Sequence, residues 1–346
     1  GHFDFELKKY ADKHGLDVRE FERRYDAGEI TEPELDAYFV HDRSMRESGL
    51  DTTTRFDNCC ADLACVDLNS ILYRVETDLA ALIEQYAEGN FSPASTAAHA
   101  ARGAGHGTTS KPATSAPVGN SASAFIANTD AIHASTARTA EEFQQRAARR
   151  QALMTQYLWN DAEGSWHDYN VRTGKPQPFP NASDLLPLWA GCCTADQAAR
   201  TVANVLPKLL RKGGIASTAP IANKHAGPDR QWDYPYGWAP HQIMIWEGLK
   251  NYGFGQQAGE AAFAWLNMLV RAAVDYNGLI TEKFNVEAAS HKVDAEYGNV
   301  GARFSYIPTG GFGWTNTSFL LGLKYLDDNQ KAQLNAQEVQ RHSAGA

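Results

Sequence analysis

Arg230-Gln231-Trp232-Asp233-Tyr234-Pro235-Tyr236-Gly237-Trp238-Ala239-Pro240 holds four aromatic rings, two prolines and one carboxylate, and runs directly into a helical stretch, His241 to Tyr252. The prolines restrict the backbone too tightly for an ordinary connector, and Ile245, Trp246 and Leu249 beyond them share one helix face. The segment reads as a wall. Flat rings can meet the C–H side of a sugar, while Arg230, Gln231 and Asp233 can supply directional hydrogen bonds to hydroxyls. The competing reading is a buried aromatic corner that locks two helices, which is the usual fate of an isolated Trp or Tyr.

Outward from this wall the sequence is mostly helical. Leu7 and Tyr10, then Val18, Phe21 and Tyr25, then Leu35, Tyr38, Phe39 and Met45 recur at helix spacing, with Thr31 and Glu34 spaced as a capping box. Gly49 breaks the run. The polar loop Arg46 to Phe56 follows, and then a long apolar-striped helix from Leu63 to about Gly89. Residues 91–137 change character, being rich in Ala, Ser, Thr, Gly and His. They predict a low-complexity flexible insertion that contributes little core. Gly103-Ala104-Gly105-His106-Gly107 lacks the preceding strand and the Lys-Ser/Thr of a phosphate loop. Helical pattern resumes at about Ala140, and Ser165 to Tyr169 reads as a short hairpin arm. Helices separated by short polar loops predict an all-α fold of packed antiparallel hairpins, of which an α/α barrel is one closed form.

The 346 residues suffice for a large core, and 43% hydrophobic with 21% charged residues is a globular balance. A net charge of −9 speaks against a nucleic-acid partner or an anionic membrane. No apolar run reaches the length of a membrane span. Five cysteines, with Cys59-Cys60 and Cys192-Cys193 adjacent, fit reduced thiols and a cytoplasmic setting better than intrachain bridges. Cys59, Cys60 and Cys65 lack the second ligand pair of a zinc finger, so neither metal nor cofactor is expected. The chain opens on Gly1 and reads as an excerpt of a longer one.

Gln231 to Pro240 resembles the second signature of the trehalases, glycoside hydrolase family 37. Ten consecutive positions rich in Trp and Pro make that resemblance specific. Two further segments resemble the family's catalytic motifs: Glu47-Ser48-Gly49-Leu50-Asp51 and Glu282-Lys283-Phe284-Asn285-Val286. By this resemblance Asp51 is the general acid and Glu282 the general base of an inverting hydrolysis of α,α-trehalose to two glucoses. Their carboxyls are then expected to face one cavity, roughly 6.5–9.5 Å apart. Without it, Asp51 reads as a helix cap and Glu282 as half of an exposed ion pair.

The resemblance also assigns substrate contacts to Arg46, Gly49, Trp232, Glu296 and Trp314. Arg46 can fork two hydroxyls and Gly49 lets backbone approach the ring. Their plainer readings are a surface ion pair, a helix cap, core rings and an exposed acid. Leu35 to Arg43, Val66 to Asn69 and Gly214 to Thr218 resemble fungal neutral trehalases more than secreted ones. Leu50 stands where the family usually carries His or Trp, and Phe284 where it carries Tyr. The family's first signature is not matched. The resemblance therefore implies an (α/α)6 toroid incomplete at its N-terminus, residues 1–346 forming part of the catalytic domain. The alternatives are an inactive trehalase-like fragment that at most binds sugar or a partner and, further off, another α/α-barrel glucosidase.

Overall fold

The computed structural model describes residues 3–87, 122–221, 230–275, 280–293 and 311–344, with 278, 295–296 and 303–304. The chain divides into two compact units, one of residues 1–70 and 154–346, the other of residues 71–153. Among the described residues the helices are α1 (Asp4–His14), α2 (Val18–Asp26), α3 (Pro33–Glu47), α4 (Val66–Ala87), α5 (Ala122–Tyr157), α6 (Leu186–Ala190), α7 (Ala195–Leu209), α8 (Ala239–Asn251), α9 (Gly255–Asp275), α10 (Gly313–Gly322) and α11 (Asp328–Ala344).

Local signals set the helix ends. Asp17 caps α2 by accepting from the amides of Arg19 and Glu20, and Thr194 with Gln197 forms a reciprocal capping box on α7. The capping box read at Thr31 and Glu34 is not formed. Pro33 occupies the first turn of α3, which makes Glu32 the cap residue. Its buried carboxylate turns away to accept from Lys13 Nζ at 2.8 Å and to pair with His14 Nε2 at 2.6 Å. The helix expected near Ala140 begins at Ala122, inside the low-complexity stretch. Ala122, Ala124, Ala127, Ala131, Ala134 and Ala137 explain this, since alanine is the strongest helix former and needs no apolar stripe. Residues 91–121 lie outside the described residues.

The core of the larger unit gathers on α8, which packs against α6, α9 and α10. Ile245, Trp246 and Leu249 are fully buried, as their shared face predicts. Trp166, Trp265, Leu185, Leu186 and Leu188 complete the same interior.

Short strands link the helices. Trp159–Asn160 pairs with Ser165–Trp166 as a hairpin, and Asp168–Asn170 lies between Leu63–Ala64 and Lys175–Gln177. The pairing that positions the site is that of Tyr236–Trp238 with Lys283–Asn285, in the register Trp238 to Lys283 and Gly237 to Phe284. Gly237 is required by close approach. A Cβ there would stand 2.5 Å from Val286 Cγ1 and 2.7 Å from the Ile215 carbonyl.

Candidate active site

The wall segment is held from both ends by two loops distant in sequence. On one side lies the loop that follows α3. The amide of Trp232 donates to the Thr52 carbonyl at 2.9 Å, and Gln231 Nε2 donates to the Asp51 carbonyl. Asp233 is buried and its carboxylate accepts from Thr53 Oγ1 at 2.7 Å, from Thr54 Oγ1 at 2.5 Å and from the Thr54 amide at 3.1 Å. Burial pushes Asp233 up from the ordinary carboxylate range, against the pull of the Thr54 and Thr53 hydrogen bonds. Arg230 pairs with Asp57. Asp233 and Arg230, read from sequence as partners for sugar hydroxyls, are thus spent on fixing the Asp51 loop.

Beneath that loop sits Arg55, which is 2% exposed. Its guanidinium takes Asp168 in a fork at 2.6 and 2.7 Å, Asp67 at 2.7 and 3.2 Å, and Ser183 Oγ at 2.7 Å. Leu50, the residue before Asp51, packs with Leu63 on the buried cluster of Met45, Phe56, Cys60 and Cys65. Its departure from the family pattern gives the loop an apolar anchor.

On the other side, strand pairing brings Glu282 and Lys283 to the wall. Lys283 is buried, and its ammonium lies 3.4 Å from Glu282 Oε2, 2.9 Å from Gln231 Oε1 and 4.8 Å from the centre of the Trp238 ring. Burial lowers its proton affinity, opposed by Glu282 and Asp51. Thr281 and Thr315 brace the segment: Thr281 Oγ1 donates to the Lys283 carbonyl and Thr315 Oγ1 to the Thr281 carbonyl, both at 2.9 Å. Phe284 is fully buried, edge-on to Trp265 at 5.5 Å.

Asp51 itself is half-buried, its side chain 37% exposed. Desolvation raises its carboxyl above the usual range, opposed by its own backbone hydrogen bond and by Arg46 and Lys283. A carboxyl so placed retains a proton to higher pH, the property a general acid needs. Arg46 Nη1 lies 4.0 Å from Asp51 Oδ2. Its Nε and Nη2 fork onto the buried Asp42 at 2.8 and 3.2 Å, so the fork expected to reach two hydroxyls is turned onto a carboxylate. Gly49 adopts φ +80° with open space where a side chain would stand.

The aromatic layer is stacked. Trp232 is 6% exposed and lies face to face on Trp238 at 3.9 Å, its edge against His241. Trp314 meets Trp238 edge-on at 5.7 Å, donates to the Glu282 carbonyl at 3.1 Å and is 38% exposed. The open ring of the three is therefore Trp314, while Trp232 and Trp238 are buried against each other. Glu296 falls in a strand paired with Arg303, and its side chain lies outside the described residues.

Of the residues chosen from sequence, Asp51, Arg46, Glu282, Trp232 and Trp314 belong to one connected cluster. Lys283 and Arg55 were missed. Each sits inside a segment already singled out, but neither Arg55 in its polar loop nor Lys283 at the head of its strand carries a sequence mark of burial.

The wall thus carries the Asp51 loop on one side and the Glu282–Lys283 segment on the other, within a mostly helical body. The chain belongs to the trehalase family, whose sequence profile matches residues 1–327, and its fold is the (α/α)6 barrel of that family. Cytosolic neutral trehalase of Kluyveromyces lactis is 40% identical over 333 residues, 95% of this chain and 39% of that protein. The cytosolic neutral trehalase of Saccharomyces cerevisiae is 40% identical over 342 residues, 97% of this chain and 40% of that protein. The solved structure of neutral trehalase Nth1 from Saccharomyces cerevisiae superposes with a TM-score of 0.72 at 36% identity, covering 97% of this chain and 51% of that one. The chain spans about two-fifths of the length of these curated relatives.

Proposed function

We propose that this chain carries the acid and the base of a trehalase that hydrolyses α,α-trehalose to two glucose molecules with inversion. One observation carries the reading: the Asp51 loop and the segment of Glu282 and Lys283, far apart in sequence, are joined through Gln231 and Lys283. Asp51, whose proton affinity burial raises, gives its proton to the glycosidic oxygen as the bond to the anomeric carbon breaks. Glu282 takes a proton from the water that attacks that carbon from the opposite face. Trp314 offers the apolar face of the site, and Gly49 its unobstructed backbone. Arg46 orders Asp51, and Glu296 is assigned to hydroxyl binding by family resemblance.

Residues 91–137 are proposed as an insertion in the catalytic domain. The relatives are named cytosolic, which supports a cytoplasmic setting. Among the described residues, no helix is long and apolar enough to cross a membrane.

The test is glucose release from trehalose by the chain, by Asp51→Asn and by Glu282→Gln. Either substitution is expected to cut turnover by at least about 100-fold with little change in melting temperature. Undiminished turnover in Asp51→Asn would remove Asp51 as the acid, and absence of turnover in the unaltered chain would favour a sugar-binding fragment.

A further inference from the structure

Resting on the trehalase reading, we propose that Lys283 is a positioning residue that ties the carboxylate of Glu282, through Gln231, to the backbone of Asp51. The ammonium has three N–H donors. One lies 3.4 Å from Glu282 Oε2 and another 2.9 Å from Gln231 Oε1, while the charge rests 4.8 Å over the Trp238 ring. Gln231 has both ends of its amide in use, since its Nε2 donates to the Asp51 carbonyl. Base, ammonium, amide and acid loop thus form one continuous chain of contacts.

Buried as it is, the ammonium would lose its charge without compensation. Glu282 supplies that compensation first, and the ring adds a cation–π contact. Beyond Asp51 the line of contacts continues through Arg46, 4.0 Å from Asp51 Oδ2, to Asp42, onto which Arg46 is forked. A lysine that merely locked the two strands would need no carboxylate partners. The backbone register of Trp238 with Lys283 already makes that lock.

The experiment has two readouts. In the chain labelled on lysine, the Lys283 ammonium is followed by heteronuclear NMR and assigned by its loss in Lys283→Arg. Glu282→Gln is expected to lower its titration midpoint by on the order of one pH unit, and Asp51→Asn to lower it less. An unchanged midpoint in Glu282→Gln overturns the proposal whatever the activity. Trehalose turnover is the second readout. Lys283→Met is expected to lower kcat at least about tenfold with KM nearly kept, and to move the acidic limb of the pH–rate profile upward. Lys283→Arg restores most of the rate and the position of the limb. A folded Lys283→Met with an unmoved limb also overturns the proposal. Should Lys283→Met fail to fold, the titration and the arginine variant still decide. A chain without trehalose turnover defeats the trehalase reading instead, and the titration alone then decides the link.

Discussion

The site wall and the unit of residues 71–153 handle polarity in opposite ways. In the wall and in the network beneath the Asp51 loop, Asp233, Gln231 and Arg55 point inward and each finds more than one partner. Asp233 is filled by two threonines, Gln231 by Asp51 and Lys283, and Arg55 by two aspartates and a serine. In residues 71–153 it is apolar groups that stand outward: Ile71, Val75, Leu79, Leu82 and Leu153 are all more than a third exposed. The ion pair of Arg74 with Asp78 lies at the surface beside them. A buried, saturated network fixes one geometry because each partner lost leaves another unsatisfied. A solvated pair has water as an equal substitute.

Arg55 gives this contrast its largest expected effect. Arg55→Met keeps much of the side-chain volume but strands Asp67 and Asp168 with no cation. Breaking a buried pair on one side typically costs about 3–5 kcal/mol. Denaturant unfolding monitored by tryptophan fluorescence should show a loss of that size, and turnover should fall with it because the Asp51 loop sits on this network. A loss below about 1 kcal/mol would show that the inward network does not fix the loop.

How far such features could be read in advance follows from where their partners lie. The wall was legible because rings, prolines and glycine crowd ten consecutive positions, and the burial of Ile245, Trp246 and Leu249 followed from helical spacing. The roles of Asp51 and Glu282 rested on motif resemblance, since the bonds that join them run between residues 180 and 52 apart in sequence. Lys283 illustrates the limit. Beside Glu282 it reads as half of an exposed pair, and only the pairing of Tyr236–Trp238 with Lys283–Asn285 buries it. Arg55 fails for the same reason, its partners lying 12, 113 and 128 residues away. Trp232 is covered by Trp238, a stacking that spacing alone does not show.

An intermediate effect is expected from pH. His241 is buried against Trp232, its Nδ1 has no hydrogen-bond partner, and burial pushes it down to about 4 from an ordinary 6.5. Between those values the unfolded chain binds a proton that the native chain does not. Stability from this group is therefore complete above pH 6.5 and is lost as pH falls through the window. The loss between pH 7 and pH 4 should be on the order of 3 kcal/mol. Stability measured across this range in the unaltered chain and in His241→Leu should show the histidine chain falling more steeply by that amount. Parallel curves would mean that the ring gains a proton partner on acidification, and that the wall is less closed than its burial indicates.

The smallest effect belongs to the outward pair. Arg74 donates to Asp78 from one helical turn away at 2.9 and 3.0 Å, the side chains being 34% and 56% exposed. At that exposure Coulomb attraction is screened, and holding two long side chains together costs entropy. The order also runs against the helix dipole, since the acid lies on the C-terminal side of the base. A double-mutant cycle of Arg74→Ala and Asp78→Ala should give a coupling of about 0.5 kcal/mol or less at low salt, shrinking further at 1 M salt. A coupling above about 1 kcal/mol that survives high salt would break the comparison, because it would mean that this face is sheltered from water and that its exposed aliphatic neighbours are covered as well.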